Sequence, residues 1–175
     1  MFMREDLFNE ERVASLVKTL ERLSGMKDAS VEEKLQDQNV KELDGIIYVP
    51  FDEVLIESGY FCCCASTDFI LTDSNFEGLS YETKRFILLH EVGHQVNGHL
   101  EQLASTSTEE IVEQRMEYIE AGQVMPIELE ADAYTLNFMT KEQAYNALEE
   151  LQSAMDENFV DDQGEVSLRK EFILR

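Results

Sequence analysis

Phe86-Ile87-Leu88-Leu89-His90-Glu91-Val92-Gly93-His94 sets His-Glu-x-x-His inside a strongly apolar, helix-compatible run. Two of the chain's three histidines lie in it. On a helix, positions four apart share a face, separated by about 40° around the axis. Both imidazoles can therefore point at one ion. Glu91, one position after His90, flanks that ion instead of ligating it. This suits a zinc hydrolase: two nitrogen ligands, an open coordination position for water, and a carboxylate beside the water to take its proton. Zinc is the expected cofactor, His90 and His94 are expected ligands, and Glu91 is the expected catalytic base. Phe86, Leu89, Val92 and Val96 form an apolar stripe beside the histidine face, which predicts a packed, central helix. Gly93 costs helix propensity, which points to close approach of another backbone.

Zinc needs a third protein ligand, and Glu128-Leu129-Glu130-Ala131-Asp132 offers one. Pro126 fits the first turn of a helix over residues 127–138. Glu128 and Asp132 are four apart on it and share a face. Glu128 is the expected third metal ligand. Asp132 is expected to accept a hydrogen bond from the distal ring nitrogen of a ligand histidine, which fixes its tautomer and raises its basicity. Ala131 would let this helix sit close to the first. Glu130 lies about 200° from Glu128 around the axis and reads as solvated or structural. Alone, Glu128 and Asp132 are two carboxylates among 37 acidic residues. Their pairing with the histidine motif is what favours the metal reading.

Together the two motifs resemble those of the gluzincin metallopeptidases, His-Glu-x-x-His on one helix and Glu-x-x-x-Asp on a later one. Within that clan the chain is most similar to ImmA/IrrE-type peptidases and to the minigluzincins. Residues 69–73 and 79–86 resemble their strand-loop-helix entry into the motif. His90-Glu91-x-x-His94-x-x-x-x-His99 with Glu128-x-x-Ala131-Asp132 also resembles the CAAX-protease-type family, although this chain lacks the hydrophobic spans of many of its members. The similarity covers roughly residues 65–140. It implies a zinc-dependent endopeptidase with His90, His94 and Glu128 as ligands, Glu91 as base and Asp132 as orienter. It further implies a narrow and regulatory protein target, such as a repressor. The expected fold is α+β and zincin-like: a small, mainly antiparallel sheet packed on the His-Glu-x-x-His helix and on a later ligand-bearing helix, with extra N- and C-terminal helices.

Outside the motifs, residues 5–24 read as an amphipathic helix with Leu7, Val13, Leu16, Val17, Leu20 and Leu23 at helical spacing. A weaker helix is expected from Ser30, its thin apolar face formed by Val31, Leu35, Val40 and Leu43. The period then changes, and residues 46–49, 60–65 and 69–71 read as short strands bounded by turn residues. The strand around residues 68–73 would be placed to bind an extended peptide by edge pairing. The motif helix should run over 81–97, from an N-cap at Ser80 to a stop at Gly98. Residues 101–108 read as a loop. Helices follow over 108–121 and, from Thr140 with Gln143 in capping-box position, over 140–157, with a short final helix after the turn at 161–164. The 175 residues fit one domain: a helical extension (1–44), a catalytic core (45–140) and a helical C-terminal part (141–175).

Composition narrows the partners. The formal net charge is −23, which repels nucleic acid and anionic membranes; it either favours basic peptide or protein partners by steering or serves solubility alone. The start of the chain carries no basic-then-apolar signal region and no run approaches spanning length, so the reading is cytoplasmic. Cys62, Cys63 and Cys64 are consecutive, so they imply no disulfide framework. His99 would fall off the ligand face if the helix continued, but a stop at Gly98 leaves its direction open; structural hydrogen bonding suits it better than catalysis. Tyr118 and Tyr134 are candidates for a phenol that stabilises an oxyanion, or core-edge residues. The alternative to a peptidase is an interaction protein that keeps the gluzincin fold and binds a basic partner through its acidic surface. Intact Glu91 counts against it, because only catalysis needs that carboxylate.

Overall fold

Asp44 and Gly45 adopt φ of 53° and 82°, the left-handed pair that suits a two-residue turn between antiparallel strands. In the computed structural model, which describes residues 41–50, 62–64, 70–157 and 163–175, this turn joins β1 (Lys41–Leu43) to β2 (Ile46–Pro50). Lys41 pairs with Tyr48 and Leu43 with Ile46. Leu43 is therefore a strand residue, not the end of a second helix. A thin apolar face yields here to the Asp-Gly hairpin signal. The expected helices over 5–24 and from Ser30 to residue 40 lie outside the described residues.

The chain divides into two compact units, Met1–Ser74 and Asn75–Arg175. In the first, β3 (Cys62–Cys64) and β4 (Ile70–Thr72) complete a sheet of order β1-β2-β4-β3. β2 and β4 pair in parallel, whereas β1–β2 and β3–β4 are antiparallel. β4 thus has a neighbour on each side. That corrects the expectation of peptide edge pairing on this strand, because its backbone groups are already used. Ile70, Leu71 and Thr72 are all buried, as in a strand covered on both faces.

The second unit holds a short 3-10 turn (Phe76–Gly78) and six helices among its described residues: α1 (Tyr81–Val96), α2 (His99–Leu103), α3 (Thr108–Glu120), α4 (Pro126–Thr135), α5 (Lys141–Glu157) and α6 (Glu165–Leu174). The molecule is therefore α+β. The caps explain the boundaries. Ser80 accepts from the Thr83 amide to start α1, and Gly98, at φ 69°, ends it. Ser107 and Glu110 form a reciprocal capping box at α3, and Thr140 and Gln143 exchange the equivalent bonds before α5. Two expectations change. Residues 99–103 form α2 instead of opening a loop. α4 stops at Thr135, where the Thr135 hydroxyl donates to the Asp132 carbonyl and Asn137 to that of Tyr134. Among the described residues no helix is long and apolar enough to cross a membrane.

α1 packs most extensively on α4 and next on α5, while α6 lies against α5 and α4. Phe86, Ile87, Leu88 and Leu89 are all buried, so the middle of α1 is enclosed on most of its circumference. Its last turn emerges. Val92 is half-buried and Val96 is 63% exposed, so the expected stripe ends early. Glu150 of α5 ties down the start of α1, accepting from the Ser80 amide at 2.7 Å and from the Ser80 and Thr83 hydroxyls. Partial burial disfavours its charge, but these hydrogen bonds hold its pKa below the usual carboxylate range.

The α1–α4 contact is unusually close. A Cβ built on Gly93 would lie 2.9 Å from Ala131 Cα and 3.1 Å from Tyr134 Cβ. Backbone cannot swing aside as a flexible side chain can. Gly93→Ala should therefore destabilise the fold, even though alanine gains about 1 kcal/mol in helix propensity over glycine. Overpacking costs about 1–3 kcal/mol, so a net loss on the order of 1 kcal/mol is expected in denaturant midpoints. A midpoint equal to or above wild type would show that the helices do not meet at Gly93.

Candidate metal centre

α1 and α4 bring together the residues that the two motifs contain. Gly93 lies between His90 and His94 on α1. Ala131, which it faces, lies between Glu128 and Asp132 on α4. Each ligand pair thus projects across the point of closest approach. His90 Nε2 is 3.1 Å from His94 Nε2 and 3.2 Å from Glu128 Oε2, and His94 Nε2 is 3.6 Å from Glu128 Oε1. Donors held about 2.0–2.2 Å from one ion in a tetrahedron stand about 3.3–3.6 Å apart. One observed spacing falls in that range and two lie 0.1–0.2 Å below it, and one donor atom from each residue lies within 4.8 Å of the others. Two imidazole nitrogens and a carboxylate oxygen form a donor set suited to zinc. His90 is buried, while His94 and Glu128 keep slight exposure, so the cluster is reachable from solvent.

Asp132 does not join this triangle. Its Oδ1 lies 2.8 Å from His90 Nδ1, on the far side of the ring. With the Nδ1 proton donated to Asp132, Nε2 is the ring nitrogen that faces His94 and Glu128. Asp132 is fully buried, and burial alone would disfavour its charge. A residue not singled out in the sequence compensates for this. Arg169 of α6 donates from Nε to Asp132 Oδ2 at 2.8 Å and from Nη2 to Oδ1 at 2.6 Å. This two-pronged pairing is the geometry in which guanidinium and carboxylate bond most strongly. It holds the Asp132 pKa below its ordinary value, and Asp132 in turn raises that of Arg169. Glu165, buried at the start of α6, is bonded by Arg115 of α3 and also acts electrostatically on Arg169.

The cluster calls for positive charge. Burial disfavours an ionised Glu128, yet hydrogen bonding to His90 and the surrounding cations hold its pKa well below normal. Burial and Arg169 act to lower the His90 pKa. Hydrogen bonds to Asp132 and Glu128 outweigh them and push it up to about 9. For His94, burial and the adjacent His90 charge pull it down to about 4. His90 therefore carries one extra proton in the metal-free chain near neutral pH, and His94 is neutral. That proton occupies the region where the three donors converge.

The remaining sequence expectations fall as follows. Glu91 is half-buried on α1, beside His90 in the chain. His99 is buried, 2.8 Å from His94 Nδ1 and 2.9 Å from Glu130 Oε2, in line with structural hydrogen bonding. Glu130 is 60% exposed. Tyr134 stacks on Phe138 at 5.3 Å between centroids and backs onto Gly93, as a core-edge residue. No family model, no curated protein and no solved structure matches the chain.

A metal ion entering this cluster must displace the His90 proton. Zinc binding near pH 7 should release about one proton per ion. Affinity should rise with pH until His90 loses that proton unaided, at about 9. Calorimetric titrations in buffers of different ionisation enthalpy measure the count directly. Release of no proton would show that His90 is already neutral in the metal-free chain.

Proposed function

We propose that this chain is a zinc-dependent peptidase of gluzincin type. The observation that carries the reading is the convergence of His90, His94 and Glu128 within 3.1–3.6 Å of one another, with the distal face of His90 separately engaged by Asp132. A carboxylate on the far side of a ligand imidazole is a recurrent feature of metal sites. A surface charge cluster would not require it. The zinc ion would supply Lewis acidity, polarising a peptide carbonyl and lowering the pKa of a water molecule.

The chain's own residues account for the rest. His90 and His94 present Nε2 on one face of α1, and Glu128 closes the triangle from α4. Glu91 is one residue from His90 and is not needed as a ligand. Its carboxylate is suited to take a proton from the attacking water and hand it to the departing amine. Arg169 keeps Asp132 ionised, and Asp132 keeps His90 in the tautomer that leaves Nε2 free. The net charge of −23 favours basic substrates by steering, an effect that weakens with salt. A narrow regulatory protein target is the substrate class that the resemblance suggests. An acidic interaction protein on the same scaffold is the competing reading.

Glu91→Gln separates them. The amide keeps size and shape but cannot act as a base. The variant should keep zinc content and fold while hydrolysis of a basic peptide library falls on the order of 100- to 10,000-fold. Undiminished turnover would exclude Glu91 as the base. Zinc-loaded wild-type protein that cleaves nothing in a broad protein and peptide set would favour the interaction protein.

A further inference from the structure

A second hydrogen-bonded chain ends on the cluster, at His94 where the Asp132 chain ends at His90. Gly98, at φ 69°, turns the backbone out of α1 so that His99 opens α2. This turn buries His99 to 1% exposure and sets its Nδ1 2.8 Å from His94 Nδ1. The other ring nitrogen, Nε2, is 2.9 Å from Glu130 Oε2 on α4.

The proton positions follow from donor and acceptor rules. A neutral imidazole has one N–H and one bare nitrogen, and a carboxylate only accepts. Facing Glu130, His99 Nε2 is the donor. His99 Nδ1 is then bare and accepts. Across the 2.8 Å contact, His94 Nδ1 must donate. His94 is left with a free lone pair on Nε2, the atom that faces His90 and Glu128. In the opposite tautomer of His94, two lone pairs would face each other across that contact, and the Nε2 proton would block the cluster.

We propose that His99 and Glu130 are positioning residues for the metal centre, holding His94 in the one tautomer that can bind an ion. They do for His94 what Asp132 and Arg169 do for His90. This rests on the metal reading of His90, His94 and Glu128. The two arms differ in setting. The Asp132 arm is buried and neutralised by Arg169, whereas the Glu130 arm ends in a carboxylate that is 60% exposed. Glu130 can therefore be replaced with little risk to the fold.

With only three histidines, ring-nitrogen NMR of the 15N-labelled, zinc-loaded full chain can resolve each tautomer. In wild type, His94 should show a protonated Nδ1 and a metal-bound Nε2. His99 should show a protonated Nε2 and a bare Nδ1. Glu130→Ala should leave His99 with mixed protonation and weaken zinc binding on the order of tenfold. Glu130→Gln, whose amide oxygen still accepts, should restore both. His99→Leu should weaken zinc binding on the order of 10- to 100-fold. If that variant fails to fold, the Glu130 pair decides. A bare His94 Nδ1, or a Glu130→Ala protein unchanged in tautomer and affinity, would overturn the inference while leaving the metal centre standing. A wild-type chain that binds no zinc would overturn both, and this is seen before any variant is made.

Discussion

The candidate centre depends on the near-contact of two helix backbones at Gly93 and Ala131. Packed helices ordinarily lie about 8–10 Å apart, the distance being set by the side chains between them. Here the interface is a glycine against an alanine, and a Cβ on Gly93 would reach within 2.9 Å of Ala131 Cα. His90 and His94 bracket the glycine, and Glu128 and Asp132 bracket the alanine. Larger residues at the contact would separate the helices and draw Glu128 away from both imidazoles. The close approach lets side chains of ordinary length meet around one point.

Bringing two carboxylates and two imidazoles together in a largely buried space carries a large desolvation cost. The charge arrangement offsets it. Arg169 neutralises Asp132, and the extra proton on His90 balances Glu128. Exchanging that proton for a divalent ion adds one positive charge to a cluster that is otherwise near neutral. The distal nitrogens of both histidines are engaged, one by Asp132 and the other by His99. The imidazoles are thus oriented before any ion arrives, which lowers the ordering cost of binding.

Much of this was legible in the sequence because it is local. The i, i+4 spacing of His90 with His94 and of Glu128 with Asp132 gives shared faces on any helix. Gly93 and Ala131 are small residues where small residues are needed. Ser80, Thr140 and Gln143 mark helix starts by their capping hydrogen bonds, and Pro126 by its fixed φ and missing N–H. Nonlocal partners were harder to find. Arg169 reaches Asp132 from a helix 37 residues further along the chain, and no spacing rule links the two. A faint signal exists: Arg169 shares the buried face of α6 with Val166 and Ile173, where an aliphatic residue would be expected. An arginine in an apolar stripe asks for a buried carboxylate. His99 was obscured by Gly98, since a chain leaving a helix through a left-handed residue has no direction that periodicity can supply. β1 was missed because a sparse helical pattern was weighed above the Asp44-Gly45 turn.

The account stands on three donors meeting at one metal ion. X-ray absorption at the zinc edge, on protein loaded with one equivalent, tests this most directly. The expected spectrum shows nitrogen and oxygen neighbours only, with the multiple-scattering signature of two imidazoles. Glu128→Ala, in which water can take the vacated position, should keep both imidazoles but bind zinc more weakly. Sulfur in the shell, which would assign the ion to Cys62, Cys63 or Cys64, would contradict the account. So would a Glu128→Ala protein that binds zinc as tightly as wild type.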